Sequence, residues 1–180
     1  MIIPEIRTTS QPYKGALITI QVDTLSRDDG EPFVREIAVV TDVVAIAAID
    51  EQDRILLIKQ YRHAMRGPVW EIPAGRMDVL NELPIDAAER ELREETDLIA
   101  GHMELMTVFG NSVGWTSETT YLYSARGLEH TSAFERLNEE VDIEKAWVPL
   151  SEARAMIQDG TIADAKTIIG ILMVRGSGHH

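Results

Sequence analysis

Cysteine is absent from this chain. That excludes disulfide staples, thiolate nucleophiles and cysteine-bound metals, and it fits a cytoplasmic protein. Long hydrophobic runs are missing too. The longest apolar candidate, residues 37–49, is broken by Asp42; it is shorter than the ~20 residues a membrane span needs and reads as a buried strand. The start, Met1-Ile2-Ile3-Pro4-Glu5, has neither the basic region nor the apolar stretch of a signal peptide. Basic residues are scarce. Seventeen Lys and Arg face thirty Asp and Glu, a net charge of −13. Such a surface repels a nucleic-acid backbone and excludes that class of partner. If the substrate is an anion, local arginines or a metal ion must reverse the field at the site.

What is present is an ordinary globular composition, 44% apolar and 26% charged over 180 residues, enough for one domain with a real core. The pattern predicts a strand over 13–25, a turn at Arg27-Asp28-Asp29-Gly30-Glu31-Pro32 and a returning strand over 33–40. Continuous apolar runs at 43–49 and 55–58 flank a polar hairpin connection, Asp50-Glu51-Gln52-Asp53. Further strands are expected at 70–72, 105–109, 119–124 and 145–148. Helices are expected at 84–96, from a Ser151 N-cap to about Gly160, and from an Asp164 cap to about Val174. Strands dominate and helices are few, which gives an α+β class with a mixed sheet. Residues 176–180, Gly-Ser-Gly-His-His, read as the remnant of an expression tag.

The helix at 84–96 concentrates the chemistry. Pro84 suits its first position and Asp86 favours its positive end. Ala88 and Leu92, four apart, share a face that can pack on a sheet. Glu91 and Glu95, also four apart, share a neighbouring face, and Glu94 borders it. Carboxylates at this spacing repel one another. A divalent cation removes the repulsion, and Mg²⁺ takes one or two carboxylates together with water and substrate phosphate. Arg90, four before Glu94, can hold part of the cluster. An arbitrary acidic helix face would be solvated, with Arg–Glu pairs, so the residues ahead of the helix decide the reading.

Those residues are Glu71-Ile72-Pro73-Ala74-Gly75. Together with Glu82, Arg90-Glu91-Leu92-Arg93-Glu94-Glu95 and Leu98 they resemble the Nudix box, whose pattern is Gly, five residues, Glu, seven residues, then Arg-Glu-apolar-x-Glu-Glu-x-Gly-apolar. Two features depart from it. Six residues separate Gly75 from Glu82, and Asp97 stands at the final Gly position. The insertion lies in a loop, and Asp tolerates the left-handed conformation that ends helices. The resemblance continues over nearly the whole chain. Gln60-Tyr61-Arg62, Trp70–Arg76, Asn138-Glu139-Glu140, Trp147-Val148-Pro149-Leu150 and Gly160–Thr167 look like the ADP-ribose pyrophosphatase branch of that family.

The resemblance implies a Nudix-type α/β/α sandwich over residues 41–175. It also implies an N-terminal antiparallel β segment, 1–40, used to form a homodimer. It makes Glu91, Glu95 and the Ala74 carbonyl the metal ligands, Glu94 a further ligand or proton acceptor, and Arg90 an orienting group. Glu118, in Asn111-Ser112-Val113-Gly114-Trp115-Thr116-Ser117-Glu118, falls where that branch carries another carboxylate, and is the candidate general base or extra ligand. The cofactor implied is Mg²⁺, with Mn²⁺ as a substitute. Arg62, Arg35 and Arg76 are the candidate phosphate donors. Glu71 joins them in the substrate site, and Trp115 is the aromatic placed to stack on a base. Trp70 and Phe109 are assigned to the core. His63, His102 and His130 show no metal spacing. The expected activity is hydrolysis of ADP-ribose or a related nucleoside diphosphate sugar. Val113 replaces the proline of the ADP-ribose enzymes, which leaves a GDP-mannose-type hydrolase as the alternative. A non-catalytic nucleotide sensor is the second alternative, though the box is undamaged and no DNA-binding segment is evident.

Overall fold

The structure, a computed structural model, describes residues 3–27, 30–131 and 143–174. Asp28-Asp29 of the expected turn, the Asn138-Glu139-Glu140 motif and the segment 176–180 lie outside these residues. The chain divides into two compact units, residues 1–42 with 110–119, and 43–109 with 120–180.

The first unit is built on an antiparallel sheet in the order β1 (Glu5–Lys14), β2 (Thr19–Ser26) and β3 (Phe33–Val39). The single strand expected over 13–25 is therefore two. The chain reverses after Lys14, where the Gly15 N–H donates to the Ile18 carbonyl at 2.8 Å, so Tyr13 and Ile20 face each other in register. All ten residues of β1 are exposed, and a strand with no buried face leaves no alternation to read. In the segment 110–119, the Trp115 carbonyl accepts the Ala38 N–H at 2.8 Å and the Asp42 carboxylate accepts the Thr119 N–H at 3.0 Å.

The second unit carries two sheets. One runs β10 (Glu144–Pro149), β5 (Arg54–Arg62), β6 (Gly67–Glu71). The other runs β7 (Ala74–Arg76), β4 (Val43–Ala48), β9 (Thr119–His130), β8 (Leu98–Gly110). β4 is parallel to β9 and antiparallel to β7, so this sheet is mixed. The polar connection at 50–53 is present, but it does not make a regular hairpin. β4 and β5 belong to different sheets and share one isolated bridge, Ile49 to Ile55.

The unbroken apolar run of β4 has a direct cause. Val44, Ile46 and Ala48 pack with Ala87, Ala88 and Leu92 of α1 (Pro84–Thr96) on one side. Ala45 and Ala47 pack with Leu150, Ala153 and Ile171, from α2 (Leu150–Gln158) and α3 (Ala165–Met173), on the other. A strand covered on both faces needs apolar side chains at every position. Helices on both faces make this the expected α/β/α sandwich in an α+β fold. Trp70 and Phe109 are partly buried and pack against the second of these clusters.

Helix α1 begins and ends where the sequence placed it. Pro84 opens it and Asp86 sits in its first turn. It closes on Asp97, left-handed at φ 61°, whose N–H returns to the Arg93 carbonyl at 2.9 Å. The extra residue before Glu82 is absorbed in a turn, with Asn81 also left-handed and the Glu82 N–H on the Val79 carbonyl at 3.2 Å. Asp164 caps α3 by accepting the Thr167 N–H at 2.9 Å. Ser151 does not cap α2. That helix starts two residues earlier, at Leu150 with Pro149 in the cap position, whose fixed φ of −52° turns the chain out of β10 so that Leu150 is buried in its first turn. No helix among the described residues is long and apolar enough to cross a membrane.

Candidate active site

The chain leaves β6 at Glu71 and enters β7, in the other sheet, at Ala74. This short passage faces α1. The buried Glu95 carboxylate accepts the Ala74 N–H at 2.9 Å. One residue on, Gly75 lies directly against the Glu91 carboxyl group. A Cβ at Gly75 would fall 1.9 Å from Glu91 Cδ, so only glycine permits this approach.

Arg90 organises the remaining carboxylates. Its Nε and Nη2 donate to the two oxygens of Glu82, each at 2.9 Å. Its Nη1 donates to Glu91 at 2.6 Å and to Glu94 at 3.1 Å, and Nη2 also reaches the Arg76 carbonyl at 3.1 Å. One planar guanidinium thus ties three acids on α1 and its approach loop to β7. Its contacts hold the guanidinium charged, with the Glu82 hydrogen bond the largest cause, and they hold the Glu82 carboxyl below its ordinary range. Arg90 thus takes the orienting part that the family resemblance implies. Glu82 is a member of the same motif, and its role as the anchor of Arg90 emerges only in three dimensions.

The neighbouring acids are strained electrostatically. Burial pushes the Glu95 carboxyl up to about 8, and the charges of Glu91 and Glu71 add to this, against the Ala74 N–H and the charge of Arg62. Burial also raises Glu91, with Glu94 and Asp78 adding to it, although Arg90 opposes the change. Excess negative charge in a desolvated place is what a divalent cation relieves. Among the described residues no three His, Cys, Asp or Glu side chains converge as a ready-made metal cage. The donors are nonetheless hard oxygens on adjacent helical turns, beside a backbone cradle that a Cβ would fill. Mg²⁺ does not demand an all-protein cage. The residues fit the ion.

The other expected site residues fall into two groups. In the second unit, Arg62 Nε donates to the buried Glu71 carboxylate at 2.6 Å, and Lys166 Nζ lies 3.8 Å from the other Glu71 oxygen. Glu71 is thus the counter-ion of two cations and fixes the Arg62 guanidinium through its Nε. Arg76 is exposed, 3.7 Å from Asp78. In the first unit, Arg35 and Trp115 line one groove of about 580 Å³ together with Asp23 and Val113. Trp115 is 61% exposed and Arg35 rests 4.8 Å over the Phe33 ring. Glu118 is half-buried, its carboxylate accepts a hydrogen bond from the Asn111 side-chain amide, and its N–H donates to Thr116 Oγ1 at 3.2 Å.

Comparison with known proteins extends these observations. The NUDIX domain family model matches residues 40–169. The chain is 33% identical over 162 residues to the ADP-ribose pyrophosphatase of Mycobacterium tuberculosis, covering 90% of this chain and 78% of that one. It is 33% identical over 163 residues to the methanol dehydrogenase activator of Bacillus methanolicus, covering 91% and 88%. A solved structure described as an ADP compounds hydrolase superposes with a TM-score of 0.83 at 21% identity, covering 96% of this chain and 92% of that one. At that identity the likeness shows the shared fold.

Proposed function

The chain belongs to the Nudix hydrolase family, and from that premise we propose that it cleaves the pyrophosphate bond of ADP-ribose or a related nucleoside diphosphate sugar, giving a nucleoside monophosphate and a sugar phosphate. The observation that carries this is the seating of Glu91 and Glu95 against Ala74 and Gly75, with Arg90 fixing Glu82, Glu91 and Glu94. The M. tuberculosis relative, named for ADP-ribose, supports the substrate class.

Glu91, Glu95 and the Ala74 carbonyl would hold Mg²⁺ (or Mn²⁺), with Glu94 as a further ligand or proton acceptor. The ion supplies charge neutralisation at the phosphoryl oxygens and a more acidic water. Glu118 is assigned the proton of the attacking water or an added ligand position. Arg62 and Arg76 bring positive charge to the phosphates of a substrate that a chain of net charge −13 would otherwise repel. Arg35 and Trp115 supply an ionic and a stacking surface in the first unit. Residues 1–40 are assigned to a homodimer interface, which sedimentation of the purified chain checks, and the location is cytoplasmic.

The experiment is product analysis after incubation with Mg²⁺ and a panel that includes ADP-ribose and GDP-mannose. Release of the monophosphate from ADP-ribose supports the reading, and preference for GDP-mannose moves the substrate to the alternative that Val113 leaves open. No monophosphate from any nucleotide sugar refutes the function.

A further inference from the structure

Between β6 and β7 the chain crosses from one sheet to the other, so the Ile72–Ala74 passage cannot draw on one continuous ladder for its hydrogen bonds. All three residues are buried, and buried backbone N–H groups must find partners. Side chains from distant parts of the sequence provide them. Thr167 Oγ1 accepts the Ile72 N–H at 2.9 Å, and Glu95 accepts the Ala74 N–H at 2.9 Å. Pro73 has no N–H, and its carbonyl takes the Ile46 N–H at 2.8 Å. The passage is therefore held from three directions, and two of its three holds come from outside the sheets.

Thr167 is fully buried and its hydroxyl is oriented. The hydroxyl proton goes to Asp164 Oδ2 at 2.7 Å, which leaves a lone pair for Ile72. The same Asp164 caps α3 and accepts Lys166 Nζ at 2.7 Å, and Lys166 reaches toward Glu71 at the end of β6. The first turn of α3 thus grips the passage at Ile72 and stands beside its start at Glu71.

We propose that Thr167, oriented by Asp164, is a positioning residue of the divalent-metal site: by fixing the Ile72 N–H it sets the Ala74 N–H that aims Glu95 and the Gly75 surface that seats Glu91. The proposal rests on the reading of these carboxylates as a metal site. Thr167 itself touches neither metal nor substrate. Groups that orient metal ligands typically change metal affinity by about 10–100-fold when removed. A part played only in fold stability would lower the melting temperature and leave metal affinity alone.

The test titrates the metal alone. Mn²⁺ binding to the full chain is followed by electron paramagnetic resonance for the unaltered protein, Thr167→Val and Thr167→Ser. Val keeps the branched shape and removes the hydroxyl, and Ser restores it. Folding is checked by circular dichroism. The expected result is a roughly 10-fold loss of Mn²⁺ affinity in Thr167→Val and restoration by Thr167→Ser to within about twofold. Folded Thr167→Val with unaltered Mn²⁺ affinity overturns the proposal, whatever its melting temperature, and so does Thr167→Ser as weak as Val. Should Thr167→Val not fold, Asp164→Asn decides. It keeps a cap for α3 while weakening the hold on the hydroxyl, so a measurable loss of Mn²⁺ affinity supports the proposal and none overturns it. Unaltered protein that binds Mn²⁺ but cleaves no nucleotide sugar sinks the proposed function and leaves this inference to the Mn²⁺ comparison. Unaltered protein that binds no Mn²⁺ overturns both.

Discussion

Gly75 and the Glu91 carboxyl group are in contact so close that a Cβ on Gly75 would overlap it, 1.9 Å from Cδ and 2.1 Å from Oε2. The atoms displaced by a methyl group would be the end of a flexible side chain and not backbone. Gly75→Ala is therefore expected to fold, with a melting temperature within a few degrees of the original, while the Glu91 carboxylate is forced aside. Turnover should fall roughly 10-fold or more, with a higher Mg²⁺ requirement. A Mg²⁺ titration of activity alongside thermal melts checks this, and unchanged Mg²⁺ dependence in a folded variant contradicts it.

Arg90 makes five hydrogen bonds, to Glu82, Glu91, Glu94 and the Arg76 carbonyl. Lysine has a single ammonium and cannot span that fork. Arg90→Lys should cost about 2 kcal/mol of stability, the scale of lost charged hydrogen bonds. It should also reduce kcat, since Glu91 and Glu94 lose a common anchor. Denaturant unfolding and steady-state kinetics together test this; a variant with full activity would mean that the acids are placed by the helix alone.

The Glu95 carboxyl, pushed up to about 8 by burial, carries a pH signature. Its proton is held in the folded state well above the ordinary carboxylate range and lost in the unfolded state from about 4.3 upward. Between these values the folded state binds more protons, so metal-free stability falls as pH rises from about 4.5 toward 8. Glu95→Gln abolishes that contribution, and its metal-free melting temperature should decline less over the window. Metal binding below about pH 8 should release a proton, read by calorimetry in two buffers of different ionisation enthalpy. Parallel pH profiles for the two proteins would show that Glu95 is not the titrating group.

Glu118 is assigned a role in proton transfer or metal binding. Glu118→Gln keeps the shape and the hydrogen bond from Asn111 while removing the base. A loss of about 100-fold in kcat with little change in KM is expected, the scale of a general base. A loss confined to KM would place Glu118 in substrate binding instead.

The parts of this molecule that could be read in advance are those where one physical cause dominates. Helix α1 shows its ends in Pro84 and Asp97 and its buried face in Ala88 and Leu92, and the structure places all four as expected. β4 reads as a continuous apolar run because both its faces are covered. The failures have causes as specific. β1 has no buried face and so no pattern. Ser151 is a fair cap, but Pro149 ends the strand first and Leu150 gains burial. The pairing of Arg90 with Glu94 is legible from the four-residue spacing, whereas its hold on Glu82, eight residues back across the loop, is not. The grip of Thr167 on Ile72 joins residues 95 positions apart, and nothing local marks it except the Asp164-Ala165-Lys166-Thr167 stretch ahead of the last helix.

The most direct measurement compares the unaltered protein with Glu95→Gln for monophosphate release from ADP-ribose, with and without Mg²⁺. Release is expected only with the metal, and it should be lost in a Glu95→Gln variant whose circular dichroism is unchanged. Mg²⁺-independent release, or full Mg²⁺-dependent release by folded Glu95→Gln, would contradict this.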